Sequence, residues 1–295
     1  MTVDWWRAKM GGFNMRVSHV VSLHRYPVKS MMGEELNATV IDEFGLLGDR
    51  AYALVDSSDG KVASAKNPRK WPDLFNFQAT LVETPKSGTK VPPVRITLPD
   101  GVIASDQREI SHILSHALSR DVTFDAANRH RCERAAPSRA DRSTAKAEEY
   151  WPDIEGLDHR DTVTDFTLPE GTFFDTAVVH VLTTATLDRL RELYPQGRFE
   201  ARRFRPNMVV QTPEGERAFV EDAWIGKVVA IGETVRLKIT GSCPRCVMTT
   251  LPQGDLPKDV GILRAAAQHN RANVGVYASV LQGGRVRRGD SVRLE

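Results

Sequence analysis

Two cysteines three residues apart, Cys243 and Cys246, lie in "ITGSCPRCVMTTLPQGDLPKD" with Pro244 and Arg245 between them. Thiols at this spacing serve as half a zinc site, as a redox pair, or as a single nucleophile or soft metal ligand. Structural zinc takes four ligands, usually from two such pairs. The only other cysteine, Cys132, is far off in a charged region, and there is no second Cys-x-x-Cys. An iron–sulfur cluster needs four thiolates, or two with two histidines. A thioredoxin-type pair opens a helix, but "VMTTLPQGD" carries a proline and a glycine and reads as no helix. Two inert thiols are the plain structural alternative, since cysteine is among the most buried residue types. Arg245 argues against it, because an adjacent guanidinium stabilises a thiolate, which is both nucleophile and soft ligand.

Two further groups of residues suit an anion. In "GRFEARRFRPNMVV", Arg198, Arg202, Arg203 and Arg205 crowd together and lead straight into a strand. Such clusters are commonly solvated turns, but here at least one arginine must stand at the strand mouth. The Arg205 fork beside the Asn207 amide matches phosphate or the edge of a heterocycle. In the first half, Lys29-Ser30 follows a strand end in "YPVKSMMG", and Arg50 opens a strand in "GLLGDRAYALVD". His180, flanked by apolar residues, reads as a core histidine. No Gly-x-Ser-x-Gly, P-loop or Rossmann fingerprint occurs.

The elements that must position these residues are mostly strands. "MRVSHVVSLHRYPV" reads as a strand ending at Pro27. Asp59-Gly60 suits a type I′ hairpin turn, and "FNFQATLVE" and "PVRITLPDGVIASD" add strands, the latter folding about Asp100-Gly101. Short strands between turns predict a barrel or curled sheet over roughly 15–105. A helix follows in "SDQREISHILSHALSR", capped by Ser105 or Asp106. Residues 127–160 are charged and nearly aperiodic, which predicts an exposed connector. Beyond it come "AVVHVLTTATLDRLRELYP" (strand, then a helix capped at Thr183 or Thr184), "NMVVQT", "KVVAIGETVRLKIT", a helix in "PKDVGILRAAAQHN", and strands to the end. The expected fold class is mixed α/β and β-rich, divided as an N-terminal extension (1–14), a β-barrel-like domain (15–126), the connector (127–160) and a second β-barrel domain with peripheral helices (161–295).

Bulk properties narrow the classes. The 295 residues are 41% hydrophobic and 26% charged, with a formal net charge of +2. That balance gives no global pull toward nucleic acid or a membrane surface, so an anion site must be local. No apolar run approaches the roughly 18 residues of a membrane span. Three cysteines and no apolar leader suit a reducing cytoplasm.

Together, "YPVKS", "GLLGDRAYALVD", "RFRPNMVV", "CPRCVMTT" and "GVYASVLQGGRVRRGDSVRL" resemble, in order, the MOSC family in its two-part form. In that form a MOSC N-terminal β-barrel domain precedes the MOSC domain, as in the amidoxime-reducing group. The resemblance implies the molybdenum cofactor (Mo-molybdopterin), with Cys246 as metal ligand and catalytic centre. It implies cofactor contacts from Lys29, Ser30, Arg50, Arg205 and Asn207, with Arg245 and Thr249 beside the cysteine. It implies an oxidoreductase reducing N-hydroxylated small molecules, fed by a separate ferredoxin- or flavin-type reductase, because three cysteines cannot hold a [2Fe–2S] cluster. A persulfide-based sulfur carrier on Cys246 and a non-catalytic molybdopterin carrier are the other expectations. After Thr249-Thr250 this chain reads "LPQGD", where amidoxime-reducing relatives carry an Asp-Pro run.

Overall fold

Alternating Val, Ile and Leu close into a seven-stranded barrel. The computed structural model describes residues 18–104, 110–127, 145–154, 161–213 and 215–295. The barrel strands are β1 (Ser18–Arg25), β2 (Val179–Thr183), β3 (Met208–Gln211), β4 (Val228–Ile231), β5 (Val235–Pro244), β6 (Asn273–Gln282) and β7 (Ser291–Leu294). They run in the order β3-β2-β6-β5-β4-β7-β1, and β1 pairs back onto β3 to close the ring. Only β2 and β3 are parallel neighbours. A bulge between Val20 and Ser22 shifts the register of β1, so that Val20 and Leu23 both enter the barrel core. They pack there with Val181, Met208, Leu237 and Val276, each no more than 1% exposed.

Over roughly 15–105, where a barrel or curled sheet is expected, the described strands close no barrel of their own. The ring is built from the second half of the chain plus β1; Glu34–Leu36 pairs with β1 outside the ring, and the other first-half strands make small sheets. Gln78–Leu81, Val94–Leu98 and Gly101–Ala104 form an antiparallel meander whose second turn is Pro99-Asp100, one residue before the Asp100-Gly101 expected, with Gly101 already paired to Leu98. Tyr52–Asp56 pairs with Val122–Ala126. The Asp59-Gly60 turn is not type I′, since only Gly60 takes a positive φ.

Within the charged stretch 127–160, the described residues 145–154 include a strand that the composition does not suggest. Lys146–Trp151 is a strand antiparallel to Thr162–Thr167, burying Ala147 and Glu149 on one face. Ion pairs to Lys61, Lys66 and Lys70 absorb its carboxylates. Cys132, and the caps at Ser105 and Asp106, lie outside the described residues.

Among the described residues, four α-helices decorate the strands: α1 (Ile110–Leu118), α2 (Thr184–Leu193), α3 (Ala201–Phe204) and α4 (Gly261–Asn270). Thr183 caps α2 as expected, its Oγ1 accepting from Thr186 N–H at 3.2 Å. A second core, containing Val28, Met31, Tyr52, Trp71, Phe75 and Ile96, fills the first half. Val247, Met248 and Leu251 plug into that core, so the segment after Cys246 staples the barrel to the N-terminal half. Among the described residues, no helix is long and apolar enough to cross a membrane.

Candidate functional site

A cleft of about 100 Å³, open on one side, lies where the barrel rim meets the N-terminal half. Its wall brings together Lys29, Ser30, Arg50, Arg205, Asn207, Arg245 and Cys246. Thr249 does not reach it. That side chain is fully buried, and its hydroxyl donates to Cys246 O at 3.0 Å, tying down the turn that carries the cysteine.

Local backbone geometry places the cations. Ser30, Arg50 and Arg205 all adopt left-handed φ values, 63°, 47° and 52°. Each costs a non-glycine residue on the order of 1 kcal/mol, and such strain gathers at functional sites. Arg205 ends α3 in this conformation, which turns its side chain back into the cleft. There Nη1 donates to Met31 O at 2.6 Å, and the guanidinium lies 4.2 Å from the centre of the Tyr26 ring. Arg50 lies 4.4 Å from the same ring. Burial, and then Arg50, push Arg205 down to about 9.

Asp49, fully buried, organises this corner by accepting from Tyr26 N–H, Arg50 and the Asn207 amide. Asn207 also accepts from His180 N–H at 3.0 Å through Oδ1. Both ends of its amide are thus engaged with protein, and it positions the rim as well as lining the cleft.

The remaining arginines of the cluster do other work. Arg198 and Arg202 pair with Asp255 and Glu200 at the surface. Arg203 is completely buried and donates to four carbonyls, those of Arg198, Thr249, Leu251 and Pro257, at 2.8–3.2 Å. It holds the divergent "LPQGD" turn against the barrel.

The two cysteines sit in opposite electrostatic settings, and Arg245 faces the one not expected. Its Nη1 donates to Cys243 Sγ at 2.7 Å and its Nη2 to Phe204 O at 2.9 Å. Burial opposes ionisation of Cys243, but Arg245, His180 and the Tyr277 hydroxyl outweigh it and hold the thiol well below its ordinary value. Cys246 is partly buried on the cleft wall. Burial pushes its thiol up to about 11, against the pull of Lys66 and Arg245. Replacing Arg245 with Met should therefore abolish the neutral-pH thiolate absorbance of Cys243 in a Cys132→Ser background. A full thiolate signal in Arg245→Met would show that the guanidinium is not its cause.

Several cleft residues carried little sequence signal. His180 was expected in the core. It is buried, yet it lines the cleft in register with Tyr277 of β6, ring centres 6.1 Å apart. Its Nε2–H donates to Val274 O at 3.1 Å. Gly275 makes room for it, since a Cβ there would come within 2.3 Å of Nε2. Lys66 and Asp175 also line the cleft. Asp175 pairs with both Lys29 and Lys66, and Lys66 pairs further with Glu149 at 3.2 Å. Lys66 sits in an unremarkable turn, and Glu149 was hidden among the charges of 127–160. The isolated Asp175 in "FFDTAVV", at the mouth of an apolar strand, was the one available cue. Among the described residues, no three of His, Cys, Asp and Glu gather as a metal-ligand set. A metal in this cleft would draw one protein thiolate and take its other ligands from elsewhere.

Comparison with known proteins agrees with this architecture. The MOSC N-terminal beta barrel domain model matches residues 17–134, and the MOSC domain model matches 169–293. No curated protein is matched. Among solved structures, the YUAD protein from Bacillus subtilis covers 94% of this chain and 95% of its own at 12% identity and TM-score 0.46. YiiM from Geobacillus stearothermophilus covers 40% of this chain and 54% of its own, at 18% identity and TM-score 0.31. Two family models that meet on either side of the cleft identify the chain as a MOSC-domain protein of the two-part kind, with a MOSC N-terminal beta barrel domain.

Proposed function

We propose that this chain is an oxidoreductase that binds the molybdenum cofactor through Cys246 and reduces N-hydroxylated small molecules. The observation that carries the reading is a partly buried thiol on the wall of a cleft lined by Lys29, Lys66, Arg50, Arg205 and Arg245. The donor set fits the group. A phosphate-bearing cofactor suits a concentration of cationic forks, and a thiolate is the soft ligand that molybdenum and its dithiolene call for. Arg245 Nε, buried with no partner among the described residues, adds an unspent donor beside the cysteine.

When bound, the cofactor would supply two-electron oxygen removal, in which an N–OH group takes up two electrons and two protons and leaves as N–H and water. The chain's own residues would bind and orient. Arg50, Arg205 and Lys29 would neutralise the cofactor's anionic end, and Phe173 and Phe174 would shield one side of the cleft. Electrons would come from a separate reductase. The setting of Cys246 favours ligation over persulfide transfer. Its thiol is held protonated near neutrality, and metal coordination itself drives such a proton off. Sulfur transfer needs a free thiolate, and the thiol held low is the fully buried Cys243.

The test is expression in a host that makes molybdopterin. The purified protein should carry about one molybdenum per chain, as a single-site cofactor enzyme does, and should reduce an N-hydroxylated amidine with a chemical or enzymatic donor. Metal without turnover would instead favour a carrier, and folded, metal-free protein would contradict the reading.

A further inference from the structure

The end of β2 away from His180 meets a carboxyl that the cleft does not use. Glu221 stands on the short 3₁₀ turn Val220–Trp224, which packs against β2, β5, β6 and α2. It is 1% exposed and no part of the cleft wall. Its Oε2 lies 2.6 Å from two hydroxyls, Thr183 Oγ1 and Thr186 Oγ1. Its Oε1 is buried and, among the described residues, has no hydrogen-bond partner. The charged and titratable groups of the surrounding elements are committed elsewhere. On α2, Arg189 and Arg191 pair with Glu192 and Asp188, and Arg217, ahead of the turn, also takes Glu192. On β5, Arg236 pairs with Glu295, Lys238 donates to Gly226 O, and Cys243 is bonded to Arg245. His180 of β2 bonds Val274 O, and Tyr277 of β6 bonds Cys243. Asp222, the next residue, accepts from Asn270 and adds a like charge.

The two charge states of Glu221 satisfy different groups. An ionised carboxylate leaves Oε1 buried with a share of negative charge and neither donor nor cation, the arrangement that burial penalises most. A neutral acid fits the geometry. Its Oε2–H donates to Thr186 Oγ1, the Thr186 hydroxyl passes on to Ala218 O at 3.4 Å, and the Thr183 hydroxyl donates to Oε2. Thr183 Oγ1 still accepts from Thr186 N–H as the cap of α2. Only an uncharged carbonyl oxygen then stays unpaired, which costs less. We propose that the folded chain carries Glu221 as a neutral carboxylic acid, and that its proton is a pH-sensitive fastener joining the Val220–Trp224 turn to β2 and the start of α2. Burial, helped by Asp222, holds the proton on against the two threonine hydroxyls. The unfolded chain releases it above the ordinary value of 4.5. Folding therefore takes up one proton here, and stability falls as pH rises from 4.5 toward the folded value.

The test is urea unfolding of wild type beside Glu221→Gln across the acid-to-neutral range. Groups common to the two chains cancel in the comparison. The unfolding constant of wild type should rise against that of Glu221→Gln by up to about tenfold per pH unit, the slope of one linked proton. Infrared absorption in heavy water gives a second readout. At neutral pH, wild type should show the carbonyl band of a protonated acid. The band should shift when glutamate carries heavy carbon at its carboxyl, and it should be missing from Glu221→Gln. Should Glu221→Gln not fold, the labelled band of wild type decides alone. A ratio of unfolding constants that stays flat with pH, or the absence of that band at neutral pH, would overturn the proposal. Neither readout involves a cofactor, so metal-free protein tests this inference and leaves the molybdenum reading to its own experiment.

Discussion

Arg203→Ala is expected to destabilise the protein by on the order of 4 kcal/mol and to release the turn after Cys246. Arg203 is a fully buried cation and, among the described residues, has no carboxylate in hydrogen-bond contact. Four carbonyl dipoles take that place, and hydrogen bonds to a charged group are worth about 1.5–3 kcal/mol each, partly offset by desolvation of the guanidinium. Truncation removes all four bonds at once and strands the carbonyls of Thr249, Leu251 and Pro257 around a cavity. Arg203→Met, which keeps volume, should recover only the packing part. Arg203→Lys should recover little, because one ammonium cannot reach carbonyls spread over a planar fork. Urea unfolding measures the loss, and limited proteolysis between Gln253 and Leu256 reports the released turn. A loss below about 1 kcal/mol would mean that those carbonyls find other partners.

The effect is local to function as well as to stability. Thr249 donates to Cys246 O and is itself held by Arg203, so the path from the buried guanidinium to the cysteine backbone is two hydrogen bonds long. The divergence at "LPQGD" is accommodated here. Leu251 packs into the N-terminal core, Gln253 is fully buried, and Asp255 answers Arg198 and Arg202.

What could be read from the sequence follows the range of the interactions involved. Strand alternation and the Thr183 cap are local signals and emerged as expected. Lys29, Ser30, Arg50, Arg205, Asn207, Arg245 and Cys246 converge on one cleft because each stands at an element end, where motif and geometry coincide. The closure of the ring by β1 was not legible, since it depends on pairing between residues almost 190 positions apart, such as Leu23 and Met208. Lys146–Trp151 was missed because its charges are neutralised by lysines distant in sequence, and so its buried alternation looked like solvated polarity. The direction of Arg245 was missed for a related reason. Adjacency in sequence suggested Cys246, but along the extended end of β5 neighbouring side chains point to opposite faces, so residues 243 and 245 share one.

Cys246→Ala has the largest expected functional effect. Among the described residues no other thiol lines the cleft wall, because Cys243 is fully buried beneath Arg245. The cationic side chains would still attract the cofactor's phosphate, so Cys246→Ala should keep weak cofactor affinity while losing the bond that fixes the metal. Cys243→Ala should alter the charge balance around Arg245 and Tyr277 and leave that bond in place. The direct measurement is elemental analysis of wild type, Cys243→Ala and Cys246→Ala, purified from a molybdopterin-producing host and shown to be folded. The account predicts molybdenum in the first two and its loss in the third. Equal molybdenum in all three, or loss in Cys243→Ala with retention in Cys246→Ala, would contradict it.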